Sequence, residues 1–118
     1  MVLIVEDNAN ARRLFAQILS SAGHEVVESE NGEEAVSLLE DHRFDVVVTD
    51  LAMPKMTGFG LLSHIRAKRP ALPVILISAY LSTDAAHKIL DERTEFIPKP
   101  IDRNQLIALV NRLAHTVH

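Results

Sequence analysis

The sequence contains no cysteine, which excludes a disulfide framework and a thiolate metal site and fits a reducing compartment. It has no apolar run near the roughly 18 residues needed to cross a bilayer. The opening Met1–Asp7 has no basic stretch, and its apolar part is too short for a secretion signal. These absences predict a cytoplasmic location and no membrane association. Because the chain opens directly on a strand-like segment, a few native residues are expected to precede it. No run of Lys and Arg occurs and the formal net charge is −4, which argues against direct nucleic-acid binding. No linker, low-complexity tract or sequence repeat interrupts the chain. What is present is 118 residues, 47% hydrophobic and 24% charged, the length of one domain (1–118) with its own core.

Five apolar or β-branched runs alternate with amphipathic segments. The runs are Val2–Val5, Glu25–Glu28, Val46–Thr49, Val74–Ile77 and Phe96–Ile97. Val46–Val48 and Val74–Ile77 are apolar throughout, as expected of strands buried on both faces of a parallel sheet. Between the runs the spacing is helical. Ala11, Leu14, Phe15, Ile18, Leu19 and Ala22 form one stripe, closed by Gly23 as a C′ residue. Asn31 with Glu34 reads as a cap before Ala35, Leu38 and Leu39. Phe59, Leu62 and Ile65 mark a third helix that ends before Pro70. Ser82 caps a fourth carrying Ala85, Ala86, Ile89 and Leu90. Asp102 and Gln105 open a fifth carrying Leu106, Leu109, Val110 and Leu113, a stripe read as packing on the sheet. Strand–helix alternation with short connections gives a (βα)5 α/β domain, with helices on both faces of a parallel sheet.

In such a sheet the functional site lies outside the carboxyl ends of the strands. Glu6 and Asp7 follow the first strand, Asp50 follows the third, Ser78 the fourth, and Lys99 with Pro100 the fifth. Only the second strand delivers no polar group to this rim. Two like charges about 4 Å apart repel by on the order of 4 kcal/mol at an effective dielectric near 20. Three carboxylates facing one lysine therefore call for a hard divalent cation, and Mg²⁺ suits oxygen donors and phosphate. A carboxylate can accept a phosphoryl group as a nucleophile. Asp50 is the candidate acceptor, and Glu6, Asp7 and Asp50 are candidate Mg²⁺ ligands. Lys99 and Ser78 are candidate partners for phosphoryl oxygens.

Together these residues resemble the receiver domain of bacterial two-component response regulators, over essentially the whole chain. The motifs that carry the resemblance are Ile4-Val5-Glu6-Asp7, Val48-Thr49-Asp50-Leu51-Ala52-Met53-Pro54 with Gly58, Ile77-Ser78-Ala79 and Lys99-Pro100. The resemblance implies a flavodoxin-like three-layer sandwich with strand order 2-1-3-4-5. It implies that Asp50 takes phosphate from a phosphohistidine on a sensor histidine kinase or phosphotransfer protein. It also implies that the Ala52 backbone carbonyl is a further Mg²⁺ ligand, that the Lys99–Pro100 bond is cis, and that Phe96 rotates inward as Ser78 turns toward the phosphate. The readout surface would be the fourth helix, fifth strand and fifth helix, acting on a downstream effector or attached output domain, with dimerisation on phosphorylation as one response. The domain would assist its own phosphorylation and dephosphorylation without being a dedicated enzyme.

Other readings of the same residues exist. Glu6 and Asp7 could cap the first helix, Ser78 could cap a turn, and Phe96 could be an ordinary core or edge aromatic. The histidines, among them His24, His42, His64 and His87, show no ligand spacing and read as solvated. A phosphohydrolase using an aspartyl phosphate would resemble haloacid dehalogenases, but the second Asp expected two residues after the nucleophile is Ala52. A phosphorylation-independent scaffold would have lost the acceptor, an acid or the lysine, and none is lost. A flavin module of flavodoxin type lacks a suitable loop. Glu92-Arg93-Thr94-Glu95 replaces the Gly-Ala pair common before the fifth strand of receivers. Ala52 and Tyr80, at positions that set acyl-phosphate lifetime in the family, cannot readily position water, which predicts a long-lived phosphorylated state.

Overall fold

The strands expected from the apolar runs all form, and they pair in parallel. A computed structural model describes residues 1–51, 58–78 and 93–114. Its strands are β1 (Val2–Val5), β2 (Val26–Ser29), β3 (Val46–Asp50), β4 (Val74–Ser78) and β5 (Thr94–Pro98), in the order β2-β1-β3-β4-β5. The described helices are α1 (Ala9–Ser21), α2 (Gly32–Asp41), α3 (Gly58–Lys68) and α4 (Arg103–Ala114), the last being the fifth helix of the sequence reading. The expected helix over 82–90, together with Ala52, Ala79, Tyr80 and His87, lies outside the described residues.

Alternation along the strands divides the core in two. Val2, Ile4, Val46, Val48, Ile75, Ile77 and Ile97 pack against α1 and α4, while Leu3, Val5, Val47, Val74 and Leu76 pack against α2 and α3. Both faces of β1, β3 and β4 are therefore covered, which is why those strands lack polar alternation. The Leu106–Val110–Leu113 stripe lies in the first of these clusters.

Helix ends follow their local chemistry. Asn31 Oδ1 accepts from Glu34 N–H at 2.9 Å, and Asp102 Oδ1 accepts from the N–H groups of Asn104 (2.9 Å) and Gln105 (3.2 Å). Gly23 has φ +94°, and the bonds from its own N–H to Ser20 and from His24 N–H to Leu19 close α1 with a Schellman pattern. The cap of α1 differs from the reading that gave it to Glu6 and Asp7: Asn8 Oδ1 accepts from Ala11 N–H at 3.0 Å. That releases the two acids from the helix terminus.

Several inward assignments shift. Leu14 is 53% exposed and Phe59 41%. Leu14 sits about 100° around the helix from Phe15, at the margin of the buried stripe. In α3 the stripe is Gly58, Leu61, Leu62 and Ile65, an i, i+3, i+4, i+7 series that excludes Phe59. β5 is longer than the two residues expected, because an edge strand tolerates Thr94, Glu95 and Pro98. His24 and His64 are half-buried, and His24 Nε2 lies 2.7 Å from Asn111 Oδ1, joining the end of α1 to α4.

Candidate functional site

Register brings the rim together before any side chain is considered. Val5 pairs with Thr49, Asp50 with Ile77, and Ser78 with Pro98. Glu6 therefore leaves β1 beside Asp50, and Lys99 leaves β5 one strand beyond Ser78. The alternation adds a second constraint. Glu6 continues the series Val2, Ile4; Asp50 continues Val46, Val48; Lys99 continues Ile97. All three belong to the sheet face covered by α1 and α4. The crevice between β1 and β3, where strand order reverses, is where an open parallel sheet places its ligand site.

Lys99 Nζ lies 2.5 Å from Asp50 Oδ2 and 3.6 Å from Glu6 Oε1. Glu6 is 2% exposed and Asp50 6%, so both carboxylates are largely stripped of water. Burial pushes the Glu6 carboxyl up to about 7, with the charge of Asp50 adding to the rise and that of Lys99 opposing it. Burial alone would lower the Lys99 ammonium. The hydrogen bond and charge of Asp50, helped by Glu6, outweigh it and hold Lys99 above the ordinary lysine value.

Asp7 is exposed and joins the cluster through its backbone, whose N–H donates to Glu6 Oε2 at 3.1 Å. Ser78 is buried, and its carbonyl accepts from Lys99 N–H at 3.0 Å. The Lys99–Pro100 peptide is cis. Phe96 pairs in register with Leu76 and packs, half-buried, against the α2–α3 core. Ser78 and Phe96 thus share the strand alternation opposite to that of Glu6, Asp50 and Lys99. Ala52 lies outside the described residues.

Gly58 explains how α3 approaches the rim. A Cβ there would sit 2.6 Å from the Asp50 carbonyl oxygen and 2.8 Å from Leu51 Cα, both inside van der Waals contact. Gly58 N–H donates to Leu51 O at 3.1 Å. The helix thereby packs directly on the main chain that carries Asp50.

Among the described residues no three acidic or histidine side chains are already gathered as a metal cage. Lys99 instead lies against both Glu6 and Asp50 and supplies the counter-charge. The chemistry of the donors still suits a hard cation. Two buried carboxylates and the adjacent Asp7 outnumber one ammonium.

Fold and rim define a doubly wound α/β module whose chemistry is carboxylate, lysine and hydroxyl at the strand ends. A family model, "Response regulator receiver domain", matches residues 2–111. The chain is 34% identical over 113 residues to the DNA-binding transcriptional regulator NtrC of Salmonella typhimurium, covering 95% of this chain and 24% of that one. It is 38% identical over 120 residues to a cyclic di-GMP phosphodiesterase of Thermotoga maritima, covering 97% and 32%. The receiver domain of the Francisella response regulator 1452 superposes with a TM-score of 0.89 at 29% identity, covering 96% and 94%. The chain belongs to the response regulator receiver domain family, the phosphoacceptor switch domains of two-component systems. Such domains partner with histidine kinases and act as switches rather than as dedicated enzymes. The chain spans about a quarter to a third of the length of these two curated relatives. No helix among the described residues is long and apolar enough to cross a membrane.

Two features of the rim lay beyond the sequence reading. The Asn8 cap had a signal, an Asn just before a helical run. The contact of Arg12 Nη1 with the Glu6 carbonyl at 3.0 Å had none, because a long side chain bonded to a main-chain oxygen leaves no pattern in spacing.

Proposed function

We propose that residues 1–118 form a single receiver domain in which Asp50 accepts a phosphoryl group from the phosphohistidine of a sensor histidine kinase or phosphotransfer protein. The observation that carries this is the contact of Lys99 Nζ with Asp50 Oδ2 at 2.5 Å, beside buried Glu6, at the β1–β3 switch point. An Asp50 carboxylate oxygen attacks phosphorus. The O–P bond forms as the P–N bond of the donor breaks, and the imidazole nitrogen keeps the bonding electron pair. Lys99 holds Asp50 in place before the reaction and offers its ammonium to a phosphoryl oxygen after it. The Ser78 hydroxyl is the partner for a second oxygen.

Glu6, Asp7, Asp50 and the Ala52 carbonyl would hold Mg²⁺, which receiver domains generally bind at the phosphorylation site. When bound it supplies charge neutralisation for the transferring group.

The switch is a population shift, and phosphate favours the active arrangement only through contacts made better there. Ser78 and Phe96 share one face of neighbouring strands, so a move of Ser78 toward the rim frees space on the side where Phe96 packs. The readout surface comprises the fourth helix of the sequence reading, β5 and α4. Arg112 on α4 reaches Glu95 on β5 at 2.8 Å. A histidine kinase upstream implies a cytoplasmic domain, and the effector downstream is a separate partner or an attached output domain.

The test is incubation of the wild type and Asp50→Asn with acetyl phosphate and Mg²⁺, followed by intact mass. One phosphoryl group on the wild type and none on the variant is expected. Equal labelling of both, or none on the wild type, contradicts the assignment. Steady turnover of a generic phosphomonoester would favour a phosphohydrolase instead.

A further inference from the structure

We propose that Arg12 is a positioning residue for the acidic rim, gripping the Glu6–Asp7 peptide and so setting the direction of both acids that follow β1. The inference rests on the reading of that rim as the phosphorylation and Mg²⁺ site and deepens it.

Arg12 lies in the first turns of α1 with its side chain only 11% exposed. Its Nη1 donates to the Glu6 carbonyl at 3.0 Å, and its Nε donates to Glu28 Oε1 on β2 at 3.2 Å. The Glu6 carbonyl and the Asp7 N–H are opposite edges of one planar unit. The Asp7 N–H donates to Glu6 Oε2 at 3.1 Å. A single rigid plane is therefore held at its oxygen by Arg12 and holds the Glu6 carboxylate at its nitrogen. Donation to the carbonyl also polarises the peptide and strengthens the N–H as a donor. On the preceding side, Glu6 N–H reaches Ser29 O at 3.0 Å, so β2 and α1 together fix the main chain at Glu6.

This gives β2 a part in the site. It delivers no group of its own to the rim, yet Glu28 orients the guanidinium that holds the rim. The geometry requires a planar fork that spans a carboxylate and a carbonyl. A lysine ammonium offers the same charge from a single point and cannot serve both partners in this way. The fork function and the charge function are thus separable by substitution.

The experiment is a titration with Mg²⁺ alone, followed by backbone amide NMR, on the wild type, Arg12→Lys, Arg12→Ala and Glu28→Gln. Urea denaturation of each protein, run in parallel, separates loss of folding from loss of binding. Positioning predicts that Arg12→Lys and Arg12→Ala each weaken Mg²⁺ binding by about tenfold or more, the usual effect of removing a group that orients a metal ligand. It predicts a smaller loss in the same direction for Glu28→Gln, and a displaced Asp7 amide resonance in metal-free Arg12→Lys. Should Arg12→Ala fail to fold, Arg12→Lys and Glu28→Gln carry the test. Wild-type affinity in every folded variant, whatever its stability, would make Arg12 purely structural and overturn the proposal. Tighter binding by Arg12→Ala with wild-type binding by Arg12→Lys would mean that only its charge is felt, and would also overturn it. A wild type that binds no Mg²⁺ overturns the rim reading and this proposal with it. A wild type that binds, matched by Arg12→Lys, overturns this proposal alone.

Discussion

Glu6→Gln should make the metal-free domain more stable at alkaline pH and flatten its pH dependence. Glu6 is 2% exposed, and burial with the charge of Asp50 raises its carboxyl from 4.5 to about 7. The unfolded chain releases this proton near the ordinary value, while the native protein keeps it until about 7. Between those two values the native state binds more protons than the unfolded state, so stability falls as pH rises. The step corresponds to on the order of 3 kcal/mol, present below pH 4.5 and fully lost above about pH 7. Glutamine keeps the shape and removes the ionisation.

The assay is urea denaturation from pH 4.5 to 8.5 in chelator, followed by far-UV circular dichroism, since the chain has no tryptophan. The difference between the two proteins cancels every group that does not interact with Glu6. It should grow with pH in favour of the glutamine variant and level off above about pH 7. Asp50→Asn in the wild-type background should reduce the slope, because Asp50 is the second cause of the rise. A constant difference across the range, or one that shrinks with rising pH, would refute the reasoning.

Gly58→Ala should cost about 1–3 kcal/mol or more and slow phosphorylation by acetyl phosphate, because its Cβ would meet the Asp50 and Leu51 main chain; unchanged stability and rate would contradict this. Arg66 donates to the carbonyls of Leu72 (2.6 Å) and Arg93 (2.9 Å) and to Thr94 Oγ1 (2.7 Å), so Arg66→Ala should cost about 2–4 kcal/mol in urea denaturation, with only partial recovery in Arg66→Lys. A loss under about 0.5 kcal/mol, the scale of an ordinary surface change, would show these bonds to be replaceable by water. From the sequence expectation that Ala52 and Tyr80 cannot readily position water, the phosphorylated protein should decay slowly once donor is removed; a half-life of seconds would count against this.

The sheet was legible because burial on both faces leaves an unmistakable trace. Val46–Val48 and Val74–Ile77 admit no polar alternation, and their order along the chain with helical stripes between them dictates parallel pairing. Boundaries were less legible where burial is partial. Glu25 reads as strand although β2 begins at Val26, and Thr94, Glu95 and Pro98 hide most of edge strand β5. Choosing Phe59 instead of Gly58 misplaced only the first residue of the α3 stripe, since glycine carries no hydrophobic signal; Leu62 and Ile65 are buried as expected. At the rim, Glu6, Asp50 and Lys99 could be gathered from strand ends and alternation alone. The peptide that joins Glu6 to Asp7, its hold by Arg12 and the reach of Arg66 to the start of β5 depend on long side chains meeting main-chain carbonyls. Such contacts have no period and no fixed spacing.

The most direct test of the central claim is to locate the phosphoryl group itself. The domain phosphorylated with acetyl phosphate in Mg²⁺ is treated with borohydride, which reduces an aspartyl phosphate to homoserine, and the peptides are then mapped by mass. Homoserine at position 50 and nowhere else is the predicted result. Reduction at Asp7 or Glu6, or a phosphorylated protein with no reduced residue in the β3 peptide, would contradict it.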